Sequence, residues 1–291
     1  GTYDMKGGLP AALIAAREAS RAGLPGEVVV AAVADEEHSS IGVQEVLRHL
    51  AASGGTSAGL TTGAATGIDA AIVAEPTELA VTVAHRGFVW IEIEVVGLAA
   101  HGSRPHLGRD AILKTGPVLV ALASLNEQLR AREHPLLGHG FVHGSLIHGG
   151  REESTIPDRC VLTVERRTLP GETTEDVERE IAGLLASCRA ADPELEAVAR
   201  TTLARPPFEV PRDAAIVGAV ASAAGQALGR PATIEGVSYW ADSSLIAAAG
   251  IPTVLFGPAG EGAHAAVEWV SLQSVVTCAD TFTAVARQFC G

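Results

Sequence analysis

The sequence predicts an α/β protein made of one discontinuous domain, residues 1–84 and 206–291, interrupted by a smaller inserted domain at 85–205. Three observations predict it. In the first 84 residues, short and nearly continuous apolar runs alternate with helix-like segments, the pattern of strands buried on both faces of a parallel sheet. From Arg86 the order becomes β-α-β-β-α-β, with alternating rather than continuous strands, the split βαβ arrangement of ferredoxin-like domains. After Pro206 and Pro207 the first pattern returns.

Each element has its own reason. Residues 9–22 are Ala-rich, with Pro10 in a first turn and Gly23 at the end, which predicts a helix. Residues 27–34 (EVVVAAVA) read as a strand buried on both faces, 41–52 as a helix, and 69–74 as a second short buried strand. Between them, 53–67 is a Gly/Ser/Thr/Ala stretch with little to pack, expected to be a mobile loop. In the insertion, 88–96 alternates through Trp90, Glu92 and Glu94, as a half-exposed strand does. Residues 109–132 follow as a helix, 142–148 and 159–167 as strands, 174–189 as a helix and 194–203 as the last strand. Beyond the prolines, helices are expected at 212–228, 243–249 and 272–289, and a buried strand at 251–256.

Composition bounds the function. A chain of 291 residues holds two domains at roughly 100–200 residues each. With 47% hydrophobic and 19% charged residues it can build a core and is not disordered. No apolar run reaches the roughly 18 residues of a membrane span, so no membrane partner is expected. The net charge of −13, from 34 acids and 21 bases, argues against a nucleic-acid partner. Cys160, Cys188, Cys278 and Cys290 are far apart and form no CxxC pair, so they read as small buried hydrophobes in a reduced, cytoplasmic setting. The start at Gly1-Thr2-Tyr3-Asp4-Met5-Lys6-Gly7-Gly8, with no strand before it, reads as the continuation of a longer, N-terminally truncated chain.

Ligands of open α/β sheets bind at the carboxyl ends of the strands. Asp35-Glu36-Glu37, Glu75, Asp4 and the loop carrying His264 are all expected at such ends. Carboxylates gathered on one edge repel unless a cation lies between them, and carboxylate with imidazole suits zinc or a similar ion. Two ions about 3.5–4 Å apart can share one carboxylate. Glu36 and Glu37 are adjacent and point different ways, so one can bind metal while the other takes a proton from water. Asp35 alone reads better as a solvated cap. His139, His143 and His148 flank glycines and read as structural or surface residues, whereas His38 is open between a supporting bond at the site and a solvated turn. His85-Arg86-Gly87 marks the domain junction, as a hinge or a substrate contact, and Asp242, two residues after Trp240, is either a helix cap or a pocket residue.

Six motifs in order are specific where each alone is weak: Asp4-Met5-Lys6-Gly7-Gly8; Asp35-Glu36-Glu37; Glu75-Pro76-Thr77; His101-Gly102-Ser103-Arg104-Pro105; Ile156-Pro157-Asp158 through Arg167-Thr168-Leu169-Pro170-Gly171-Glu172; and Gly262-Ala263-His264 followed by Glu268. Through them the chain resembles, over essentially its whole length, the zinc-dependent family of acetylornithine deacetylase, succinyl-diaminopimelate desuccinylase, aminoacylase and carboxypeptidase G. The resemblance implies a zinc-exopeptidase-like α/β catalytic domain with a ferredoxin-like lid and dimerisation domain. It implies a homodimer that hydrolyses N-acyl amino acids or small peptides bearing a free carboxylate.

The roles the resemblance implies are these. Asp4 bridges two divalent ions, zinc first, with cobalt or manganese as substitutes. Glu37 and His264 bind one ion, and Glu75 binds the other. Glu36 is the general base. His101 reaches the partner subunit's site to steady the oxyanion. Arg167 grips the substrate carboxylate, while Arg166, on the other strand face, is structural. Ser154 and the Gly257 loop contact substrate.

Two departures stand out. The family's His-x-Asp motif, with a second histidine ligand and the aspartate that orients it, precedes the part present here. The expectation is an active parent enzyme and a chain at risk of inactivity by itself. Ser154 also stands near where relatives often carry Asn. The rival reading is a non-catalytic member acting as a binding or dimerisation module. A nucleotide-binding protein fails, because no GxGxxG follows a strand and no P-loop is present.

Overall fold

Residues 1–52 and 67–291 are described by a computed structural model. The expected mobile loop at 53–67 lies outside the described residues except for Gly67. The chain packs as two units. One comprises Gly1–His85, Phe208–Val237 and Ala241–Gly291; the other comprises Arg86–Pro207 and Ser238–Trp240.

The first unit is built on the strand Val81–His85, buried at every position. Its β-branched valines and threonine suit a strand covered on both faces. Ile234–Val237 pairs with it in parallel, and Phe208–Glu209 pairs antiparallel. Thr253–Leu255 joins it antiparallel through Leu255 and pairs in parallel with Ala71–Val73. The sheet is therefore mixed rather than purely parallel. Gly8–Ala22 presents Ala11, Ala15 and Ala19, one buried stripe at helical spacing, and packs on Leu272–Cys290, which also receives Ala215–Leu228.

One expected strand is corrected. Residues 27–34 form no strand, and Val29 and Val33 are 55% and 39% exposed. Apolar composition is not sufficient, because a strand also needs a neighbour for its N–H and C=O groups. Among the described residues no strand pairs with this segment.

The second unit is a four-stranded antiparallel sheet in the order Glu196–Arg205, Gly87–Val96, Arg159–Thr168, Phe141–Gly149. In chain order that is fourth, first, third, second, the split βαβ topology. Val89, Ile91, Ile93 and Val95 alternate into a core shared with the helices Ala111–Leu129 and Thr174–Ala191. Asp110 caps the first helix through the Leu113 N–H at 2.9 Å, and Thr173 with Asp176 forms a capping box on the second. Arg166, 1% exposed, lies among these elements and donates to Glu172 at 2.6 Å and Glu180 at 3.2 Å. Its structural reading matches that placement.

Candidate metal centre

The first unit gathers residues far apart in sequence. Asp4 sits in the turn Thr2–Lys6 that feeds the helix Gly8–Ala22, and its peptide to Met5 is cis. Glu36 and Glu37 lie in the turn before Ile41–Ala52. There the Asp35 carbonyl accepts the Ser39 and Ser40 N–H groups, and its side chain accepts the Ile41 N–H at 3.3 Å. Asp35 thus acts as a helix cap. His38 Nδ1 lies 2.6 Å from Ser39 Oγ, on the exposed side of that turn. Asp35 at φ 72° and His264 at φ 59° are left-handed non-glycine residues. Such backbone strain concentrates at functional sites.

Asp4, Glu37 and His264 converge, each offering a ligand atom within 4.8 Å of the others. His264 Nε2 is 3.0 Å from Glu37 Oε1 and 3.2 Å from Asp4 Oδ2. Among the described residues this is the one group of three metal-capable side chains, and His139, His143 and His148 are not in it.

The electrostatics agree with the geometry. The Glu37 carboxylate, bonded to His264, raises the His264 imidazole above its ordinary value, and Asp4 adds to the effect. Burial, then Glu37, raises Asp4, with His264 opposing. Half-buried Glu36 is pushed up to about 7, first by burial and then by Asp242, Glu37 and Asp4. Glu75, 5% exposed, is raised well above the carboxylate range by burial and then by Glu36, Asp4, Asp242 and Glu37. A buried carboxylate whose main electrostatic neighbours are carboxylates is costly unless a cation joins them. The oxygen and imidazole donors suit a divalent ion of the zinc type. The residues present therefore fit such an ion.

Gly257 and Asp242 are defined by their surroundings. The Gly257 N–H donates to Thr77 Oγ1 at 3.0 Å, and its carbonyl accepts the Leu79 N–H. A Cβ at 257 would lie 2.0 Å from the Glu75 carbonyl oxygen. Both main-chain groups of Gly257 are thus engaged within the fold, and the glycine lets the loop press against the Glu75 backbone. Asp242 is 4% exposed, and its side chain does not cap the helix Ser243–Ala248. Its charge acts on Glu36 and Glu75 instead, a contribution the sequence signals only as one of two open roles.

The other expected residues lie in the second unit. His101 and Ser154 are brought together by the short ladder pairing Ala100–His101 with Thr155–Ile156, and the Gly102 N–H donates to the Ser154 carbonyl at 2.7 Å. The Ser103 N–H donates to His101 Nδ1 at 3.2 Å, which places the neutral ring's proton on Nε2. Arg167 donates to Glu165 at 2.5 Å, with its guanidinium 5.3 Å from the Phe88 ring centre.

Known proteins similar to this chain point to one family. The family model described as Peptidase family M20/M25/M40 matches residues 1–288. An acetylornithine deacetylase of Myxococcus xanthus is 30% identical over 297 residues, spanning 100% of this chain and 72% of that protein. One from Proteus mirabilis is 27% identical over 299 residues, spanning 100% and 70%. In fold, the aminopeptidase PepT of Bacillus cereus superposes with a TM-score of 0.75 at 16% identity, covering 98% of this chain and 70% of that one. The dipeptidase Dug1p of Saccharomyces cerevisiae gives 0.63 at 13%, covering 87% and 63%. No helix among the described residues is long and apolar enough to cross a membrane. Matched from residue 1 to 288, the chain belongs to peptidase family M20/M25/M40, a family of metal-dependent hydrolases.

Proposed function

We propose that this protein hydrolyses the amide bond of N-acyl amino acids, as its acetylornithine deacetylase relatives are named for, or of small peptides with a free carboxylate. The observation that carries the reading is the convergence of Asp4, Glu37 and His264, with Glu36 beside them pushed up to about 7. Asp4, Glu37, Glu75 and His264 would hold two divalent ions, zinc first. Ions there supply a Lewis acid that polarises the amide carbonyl and acidifies water.

The remaining chemistry belongs to the chain. A carboxyl titrating near neutrality exchanges protons efficiently in both directions. Glu36 takes a proton from water as the water oxygen joins the carbonyl carbon. It returns that proton to the amine nitrogen as the C–N bond breaks. Arg167, held by Glu165 and lying over Phe88, presents its remaining guanidinium nitrogens to the substrate carboxylate. His101, with its Nε2 proton free to donate, steadies the oxyanion in the partner subunit's site, and Ser154 lies beside it.

A homodimer through the second unit is part of the proposal. Helix Ala111–Leu129 leaves Leu113 and Val120 exposed at 74% and 69%. The adjacent edge strand Phe141–Gly149 exposes Leu146 and Ile147. Apolar patches next to a free sheet edge are sites of association. The relatives do not favour the non-catalytic alternative.

The test is Glu36→Ala assayed on N-acetyl amino acids, with bound metal measured in the same sample. The proposal predicts unchanged metal content and abolished turnover. Substantial remaining turnover would reject Glu36 as the base.

A further inference from the structure

The loop that carries His264 runs on to Glu268, whose carboxylate turns toward the segment bearing Asp4. Its Oε2 accepts the Thr2 N–H at 2.8 Å. Its Oε1 accepts the Tyr3 N–H at 3.1 Å and the Asp4 N–H at 2.8 Å. Three consecutive main-chain donors thus converge on one side chain more than 260 residues away in sequence. The fit is close: a Cβ on Gly1 would lie 1.7 Å from Glu268 Oε2, so a glycine precedes the three donors.

The loop itself is anchored. Gly260–Glu261 pairs antiparallel with Trp269–Val270, so His264 and Glu268 leave the two-stranded ladder in a single connection. Gly262, at φ 89°, has Val267 O where a Cβ would be, at 2.2 Å, which closes that connection on itself. A second strut runs alongside. Tyr3 Oη donates to Glu78 Oε1 at 2.5 Å, and the Gly260 N–H donates to the same oxygen at 3.2 Å.

We propose that Glu268 is a positioning residue of the metal centre, locking the main chain on which Asp4 stands to the loop that carries His264. The separation of these two donors is then set by one closed loop, not by the flexibility of two distant segments. Preorganised donors raise metal affinity because less order has to be imposed on binding, and residues that orient ligands carry about 10- to 100-fold in affinity when removed. The inference rests on the reading that Asp4 and His264 hold an ion.

The experiment titrates Co2+ into the metal-free 291-residue chain, reading the visible absorption band and the dissociation constant. Glu268→Ala, Glu268→Gln and Asp4→Ala are titrated in parallel, with circular dichroism reporting the fold of each. Gln keeps one oxygen for Tyr3 and Asp4 and turns an N–H toward Thr2, so its loss is the smaller. The expected result is affinity falling in the order wild type, Glu268→Gln, Glu268→Ala, by about 10- to 100-fold at the Ala end, with a changed band shape. A structural role alone would lower the melting temperature and leave the cobalt spectrum of the folded fraction unchanged. A wild-type spectrum and affinity in either folded Glu268 variant overturns the inference. If Glu268→Ala does not fold, the Gln variant decides by the same criterion. Unchanged cobalt binding in Asp4→Ala, or none in wild type, overturns the metal reading itself and the inference with it.

Discussion

Replacing Glu36 by Gln should stabilise the metal-free protein at neutral pH and leave it unchanged in acid. The Glu36 carboxyl is lifted from 4.5 to about 7 by burial and by Asp242, Glu37 and Asp4. A group whose pKa rises on folding contributes its full stability below its unfolded value, and loses it as pH climbs through the folded one. For Glu36 that window runs from 4.5 to about 7. Each pH unit within it costs roughly 1.4 kcal/mol, or ~3 kcal/mol accumulated by pH 7. Glu36 is only partly buried, and solvent screening reduces this to ~1–2 kcal/mol. Gln keeps the shape and hydrogen-bonding reach without the charge. Urea denaturation of chelator-treated wild type and Glu36→Gln at pH 5 and pH 8 measures the difference directly. The expected result is a gain of ~1–2 kcal/mol at pH 8 that shrinks toward zero at pH 5. An equal gain at both pH values, or none at pH 8, would refute the electrostatic account of this site.

Other outcomes follow from single contacts. Arg166→Ala strips Glu172 and Glu180 of their buried partner and should cost ~3–5 kcal/mol in denaturant unfolding. A loss under ~1 kcal/mol would show the network to be dispensable. Gly257→Ala drives a Cβ against the Glu75 carbonyl and should lower stability by ~1–3 kcal/mol or more, with reduced metal occupancy. Wild-type behaviour would mean that the Glu75 backbone yields easily. Mixing His101→Ala with Glu36→Ala chains at equal amounts should restore about a quarter of wild-type activity. Half the dimers are then mixed, and each has one intact site. No recovery would count against action across the dimer.

The donors were legible because chemistry constrains their spacing. Adjacent Glu36 and Glu37, and a histidine in a Gly-rich loop, carry their meaning in residue type, and Asp4, Glu37 and His264 do converge. The order of strands and helices was legible in the second unit, where Val89, Ile91, Ile93 and Val95 alternate cleanly into the core. The central strand Val81–His85 carries no separate mark in the sequence. Only Arg86 separates it from Gly87–Val96, so two strands of different units read as one change of pattern. Residues 27–34 misled for the opposite reason, since a Val-rich run announces burial but not a pairing partner. Gly257 and Glu268 were visible as residues and opaque as roles. Each acts on another residue's backbone, and a main-chain group leaves no mark in the sequence.

The central claim is that Asp4, Glu37, Glu75 and His264 form a divalent-metal centre with room for two ions. Zinc content of the 291-residue chain after equilibrium dialysis, beside Asp4→Ala and His264→Ala, tests it most directly. The account predicts about one to two ions retained per wild-type chain, and a clear loss in both variants. A wild-type chain that retains none, or variants that retain as much, would contradict it.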